Sequence, residues 1–165
     1  MGNQNKTFFQ SLKELPIPLF QSQCVVHKHE LLICERACYS YHTIKNEYKF
    51  ICEYPSDVKL SGHCVVKLVD KDSNKHRNQI TLLSFGGSEY TKRHTLIMKY
   101  VSVWSNMSSN SNNHNQWVPF TDNHNHPIII GRNNSDYRGG RAVLVEATII
   151  CYLSLIEIII LMCLI

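Results

Sequence analysis

The signatures on which whole classes of enzyme depend are missing from this chain. Its 165 residues contain no G-x-S-x-G elbow, no Walker loop, no dinucleotide fingerprint and no H-E-x-x-H helix, so no catalytic residue is expected. Gly86-Gly87-Ser88 follows an expected strand but lacks the lysine and the spacing of a phosphate loop. Runs of one charge sign are missing too. Seventeen Lys and Arg against 13 Asp and Glu give a formal charge of +4, scattered among polar segments. With no basic run and no aromatic-and-basic motif of an RNA-binding sheet, a nucleic-acid partner is not expected. The start MGNQNKTFFQ lacks the apolar core of a secretory leader, and Lys6 stands where a myristoylation motif needs Ser or Thr.

The seven cysteines are odd in number. Together with the polar start they point to a reduced, cytoplasmic setting with buried thiols. Cys34 and Cys38 have a spacing that some zinc sites use, but no second Cys or His pair follows at a finger-like distance. Among nine histidines, His124 and His126 stand beside Asp122 in TDNHNHP, near the Asn- and Ser-rich stretch SNSNNHNQ. The expectation there is a solvated loop, because alternate residues in a flexible loop supply no third ligand and no outer shell. His27 and His29 form another lone pair, so no metal or cofactor is expected. Asn-x-Ser/Thr sequons at Asn5, Asn106 and Asn133 fit chance in an Asn-rich chain.

What is present is a series of short segments rich in Val, Ile, Leu, Tyr and Phe, each bounded by Pro, Gly, Asn, Asp or Ser. None before the last twenty-odd residues keeps a helical period over three turns. The pattern predicts an all-β chain with strands over Gln23 to His27, Glu30 to Cys34, Ala37 to Thr43, Tyr48 to Tyr54, Gly62 to Val69, Gln79 to Phe85, Thr95 to Trp104 and Pro127 to Ile130. Thr7 to Leu12 reads as a helical turn or as disorder.

The segments repeat. SQCVVHKHELLIC (Ser22 to Cys34) lies against SGHCVVKLVD followed by QITLLSFGG (Ser61 to Gly87), both containing Cys-Val-Val, from Cys24 and from Cys64. A third strand with aromatics follows in each: ACYSYH, with Tyr39 and Tyr41, then HTLIMKYVSVW, with Tyr100 and Trp104. An aromatic strand closes each unit, YKFICEYP in the first and WVPF (Trp117 to Phe120) in the second. A third unit begins at Arg141-Ala142-Val143.

Four short strands per unit, a second strand running into Gly86-Gly87, and a third ending in Tyr100 and then Trp104 resemble a kelch repeat, whose period is about fifty residues. The resemblance covers Leu15 to Val143. It implies a partial β-propeller of two to three four-stranded blades with an apolar C-terminal segment. The expected divisions are an N-terminal extension over 1–14, unit one over 15–56, unit two with its Asn- and Ser-rich loop over 57–131, and over 132–165 the start of unit three passing into the apolar tail. Unit one departs from the pattern, having Glu35-Arg36 where glycines would stand, so its turn should be tight. On the residues alone, Gly86-Gly87 also fits a simple hairpin turn in an unrelated sheet.

From Ala147 to Ile165 the chain has nineteen residues and one charge, Glu157. Eleven Ile or Leu contribute roughly −3 to −7 kcal/mol to membrane insertion, and a central carboxylate costs about +2.5 to +3.5. A membrane anchor over 147–165, with the body in the cytoplasm, is one expectation. A frameshift after about Leu144 is another. Read with each codon borrowing the last base of its predecessor, Val145 and Glu146 become compatible with Gly-Gly and the next positions with Ser-Asn-Asn-His-Leu-Leu. A buried amphipathic helix is the third.

For function, the kelch resemblance implies a non-catalytic scaffold for an unidentified protein partner, with the loops Asp70 to Asn78 and Ser105 to Gln116 as contact surfaces. The competing class is a copper-containing propeller enzyme, which would need a Tyr and His cluster brought together from several blades, and nothing in the sequence shows that His63, His94 or Tyr100 converge.

Overall fold

The computed structural model describes residues 12–18, 20–68, 79–88, 90–105, 114–131, 136–138, 140–145, 148–153 and 160–163. The helical or disordered turn expected from Thr7, the three sequons, the loop from Asp70 and positions 106–113 of the second loop lie outside these residues, except for Leu12. The described chain is all strand and turn. Its elements are β1 (Gln23–His27), β2 (Glu30–Cys34), β3 (Ala37–His42), β4 (Glu47–Glu53), β5 (His63–Leu68), β6 (Gln79–Gly86), β7 (His94–Val101), β8 (Val118–Pro119), β9 (Gly140–Val145), β10 (Thr148–Leu153) and β11 (Ile160–Cys163).

They form two four-stranded antiparallel sheets, β1-β2-β3-β4 and β5-β6-β7-β8, and a three-stranded sheet β11-β10-β9. Each four-stranded sheet is an up-and-down meander in chain order, joined by short hairpin turns in the first sheet and by longer connections between β5 and β6 and between β7 and β8 in the second. The first strands of successive sheets lie side by side, β1 by β5 and β5 by β9. The second sheet is therefore covered on both faces. Val65, Ile80, Leu82, Leu96, Met98 and Tyr100 meet Val25, Leu32, Cys34, Cys38 and Ile51 of the first sheet. Cys64, Val66, Leu83 and Phe85 meet Ile130, Tyr137 and Ala142 on the other side. This explains why β6 is apolar at Leu82-Leu83 and again at Phe85 instead of alternating strictly: a strand buried on both faces has no solvent side.

The register corrects the repeat by one residue. Val25 and Val65 both point into the core between the first two sheets. In a stack where each sheet repeats the placement of the last, Val25 must match a residue facing the third sheet, and Val66 is one. Val25 pairs with Leu32 and Val66 with Leu83. Aligning those pairs carries Glu35-Arg36 onto Gly86-Gly87, and Cys24 onto Val65 instead of Cys64. The shared Cys-Val-Val run is thus offset, because a slip of one residue turns every side chain to the opposite face.

The turn after β2 is short. Cys34 pairs with Cys38 across Glu35, Arg36 and Ala37, whereas Gly86 pairs with His94 across residues 87–93. Gly86 (φ 154°) and Gly87 (φ 126°) sit in backbone regions that side chains rarely adopt. A Cβ on Gly86 would run into the Gly62 carbonyl oxygen and lie 2.6 Å from His63 Cα.

Two strands differ from expectation. β7 stops at Val101, and Trp104 lies in a turn closed by Ser105 N–H to Ser102 O at 3.2 Å. The Asn115 side chain takes over the ladder: its Oδ1 accepts from Val101 N–H at 2.8 Å and its Nδ2 donates to Val101 O at 3.0 Å. Pro127 to Ile130 is not a strand. It makes a single bridge, Thr121 to Pro127, since Pro127 has no N–H to donate and Ile130 N–H goes to the Thr95 hydroxyl at 3.0 Å. In the tail, the described residues 148–153 and 160–163 form β10, paired with β9, and β11, paired with β10. Strands therefore stand where a buried helix was one expectation, and no helix among the described residues is long and apolar enough to cross a membrane.

Replacing Gly86 by Ala forces a Cβ into backbone at a strained φ. It is expected to lower stability by about 1–3 kcal/mol, read as a fall in the urea midpoint followed by tryptophan fluorescence. An unchanged midpoint would show that the Gly62–Gly86 approach is not required.

Candidate interaction face

Sequence alternation leaves the outer face of the first sheet with Cys24, Val26, Leu31, Ile33, Tyr39, Tyr41, Tyr48 and Phe50, the positions opposite Val25, Leu32 and Cys38. No further sheet among the described residues covers it. Cross-strand aromatic pairs order the face: Tyr39 meets Phe50 edge-on at 5.7 Å, and Tyr41 lies 4.8 Å from Tyr48. Its centre is closed, with Ile33 and Tyr41 buried, and its margin is open, with Val26 68% and Phe50 52% exposed. Ile44, in the turn after β3, is likewise exposed. Two of its hydroxyls are tied down: Tyr41 donates to Asn46 Oδ1 at 2.7 Å and Tyr48 to Lys13 O at 2.9 Å. The open margin of the face is thus mainly apolar.

Behind this face, two polar junctions fix the first sheet on the second. At one end Glu30 is buried, and its Oε2 accepts from Ser40 Oγ at 2.7 Å and from the Tyr100 hydroxyl. Trp104 Nε1 donates to the same Ser40 Oγ at 2.9 Å. Lys49 Nζ sits 4.5 Å and Lys45 Nζ 5.2 Å from the Trp104 ring centre, a cation–π arrangement. A buried carboxylate is tolerable only with such donors. Burial, and then the bond to Glu30, raise the Tyr100 hydroxyl's pKa, so it stays a donor. A shallow cavity of about 220 Å³ opens beside this junction, bordered by His27, His29, Glu30, His42, Ser102 and Trp104.

At the other end Tyr54 stacks on Trp117 at 4.9 Å and donates to Ser84 Oγ at 2.9 Å. Ser84 Oγ also lies 3.4 Å from His94 Nε2. The pair lacks what a seryl nucleophile requires. Ser84 is fully buried, and His94 Nδ1 has no hydrogen-bond partner among the described residues to orient the ring. Burial, and then neighbouring His63, lower the His94 pKa to about 4. Beneath Trp117, whose indole N–H reaches Cys38 Sγ at 3.3 Å, the Cys38 thiol is pushed up by burial and the Cys52 thiol by its bond to Cys38. Both are protonated core groups.

The sequence-selected residues thus fall in three places. Tyr39 and Tyr41 are on the outer face, Tyr100 and Trp104 are at the Glu30 junction, and Gly86 and Gly87 are at the opposite end of the second sheet. Of the copper trio, His63 and His94 flank Tyr54 at 6.0 and 6.4 Å. Tyr100 lies six residues further along β7, about 20 Å away at strand rise, so the three do not converge. Sequence reasoning missed Glu30, Ser40, Ser84 and Phe50. Only Glu30 carried a signal, as a charge opening the apolar strand ELLIC.

His94 makes stability pH-dependent. Its folded pKa lies below the value of about 6.5 in the unfolded chain, so between those two values the unfolded state binds more protons and stability rises with pH. The loss on acidifying from pH 6.5 to 4 is on the order of 3 kcal/mol, and lowered His27 adds in the same direction. His94→Gln should flatten the dependence of the urea midpoint in that window; an unchanged slope would contradict the assignment. No protein-family model matches the chain, and comparisons with curated proteins and with solved structures also find no match.

Proposed function

We propose that the chain is a non-catalytic protein-interaction scaffold of kelch-repeat type, its sheets acting as blades. The observation that carries this is the outer face of the first sheet. The equivalent face of the second sheet, built on Val65, Leu82, Leu96 and Met98, is buried by a neighbour. The first-sheet residues at those positions are Cys24, Leu31, Tyr39 and Tyr41, with no sheet among the described residues over them, and Val26 and Phe50 beside them are open to solvent. Contiguous apolar surface on a β-sheet is a binding surface or an aggregation hazard, and the fixed aromatic pairs give it a preformed shape. Two further features support the kelch assignment over an unrelated sheet: the meanders run from first strand to fourth in chain order, and the first strands gather side by side as the inner strands of a propeller do.

The partner this face suits is a protein segment with apolar side chains, bound by burial and not by charge. Val26→Asp and Phe50→Ser change exposed side chains and leave the core intact. In affinity capture with the whole chain immobilised, each should reduce a retained protein at least about tenfold, a loss consistent with removing one well-packed anchor, with the circular dichroism unchanged. A wild-type chain that retains no protein, or variants that retain it equally, would refute the assignment.

A further inference from the structure

After β8 the chain folds into a tight loop. Thr121 bridges Pro127, Ile128 N–H donates to Phe120 O at 2.8 Å, Asp122 N–H to His126 O at 2.9 Å and Asn125 N–H to Asp122 O at 3.1 Å. Asn125 takes a φ of 63°, which turns the loop back on itself. The flexible loop expected from TDNHNHP is in fact a closed one, and its closure supplies the third donor that alternate histidines lack. Asp122 Oδ1 accepts the backbone N–H of His124 at 2.8 Å and of His126 at 2.9 Å. That leaves Oδ2 facing His126 Nδ1 at 3.3 Å. The two imidazoles lie nearly parallel, 6.0 Å apart at 26°. One donor atom from each of Asp122, His124 and His126 lies within 4.8 Å of the others, and all three residues are exposed.

We propose that Asp122, His124 and His126 bind a borderline divalent cation of the zinc class, with a fourth position left to water or to an outside ligand. Metal–ligand bonds of about 2.0–2.2 Å in a tetrahedron set donors about 3.3–3.6 Å apart. The Asp122–His126 edge already has that length, and exposed side-chain rotation closes the other two. Two imidazoles and one carboxylate suit zinc, copper(II) or nickel, whereas calcium and magnesium prefer oxygen ligands throughout. The two backbone N–H groups on Oδ1 play the orienting part that outer-shell partners play at other metal sites. Being open to water on one side, the site resembles catalytic and bridging metal centres in coordination number more than closed structural ones. It is independent of the scaffold function and of the first sheet's outer face.

The test is titration of the whole purified chain with zinc ion, alongside the absorption spectrum of the cobalt(II)-loaded protein. Cobalt separates this nitrogen and oxygen set from the chain's thiols, since thiolate ligands add a charge-transfer band. One equivalent of zinc bound with a dissociation constant on the order of micromolar, and cobalt bands without thiolate charge transfer, are expected. His124→Gln and His126→Gln should each weaken binding about tenfold or more. Asp122→Asn keeps an oxygen for the two N–H groups and so keeps the loop; it should weaken binding comparably, with unchanged circular dichroism. Zinc binding that all three variants retain, cobalt bound only through thiolate, or no uptake at micromolar zinc would each overturn the proposal.

Discussion

The fold depends on the inner strands of the second sheet, β5 and β6, being buried on both faces. β5 and β6 are held between the Val25–Leu32 surface of the first sheet and the Ile130–Tyr137 surface that lies against the third. Each fully buried Leu, Met or Phe there contributes roughly 1.5–3 kcal/mol over its exposed state. A meander of four short strands could not persist alone with apolar side chains on both faces. Stacking is thus what allows each sheet to exist, and it sets the direction in which the sheets follow one another.

The polar groups at the sheet boundary are consistent with that constraint. Glu30 is buried because Ser40 and Tyr100 donate to it, and Ser84 is buried because Tyr54 donates to it. Each junction ties a residue of the first sheet to one of the second and so fixes how the two sheets register, a job that apolar contacts alone do loosely. The outer face of the first sheet obeys the same rules with no sheet against it. Its Tyr41 and Tyr48 hydroxyls are bonded within the chain, and its margin at Val26 and Phe50 is apolar and exposed.

Much of the architecture was legible in the sequence because strand boundaries are set by local chemistry. The first two strands begin and end where alternation and turn residues put them, at Gln23–His27 and Glu30–Cys34. β7 was overextended to Trp104 because an aromatic run looks like a strand whether or not the backbone continues to pair, and the Asn115 side chain ended the ladder from far along the chain. The Cys-Val-Val repeat revealed that two similar units exist but misplaced them by one residue. Identical letters do not show which face a side chain takes, and only the partner sheet decides that. The polar junctions were invisible for the same reason: Glu30 and Tyr100 lie seventy residues apart, and nothing local marks them as partners. The Asp122 loop was illegible because its third donor depends on backbone closure, which spacing does not reveal.

Native-state hydrogen exchange tests the central claim most directly. Burial on both faces predicts that amides of β5 and β6, at Val65, Val66, Leu82 and Leu83, exchange slowest and only through global opening, with β1 and β4 exchanging faster. Fast exchange at those four amides, with the first sheet the better protected, would contradict the stacked arrangement.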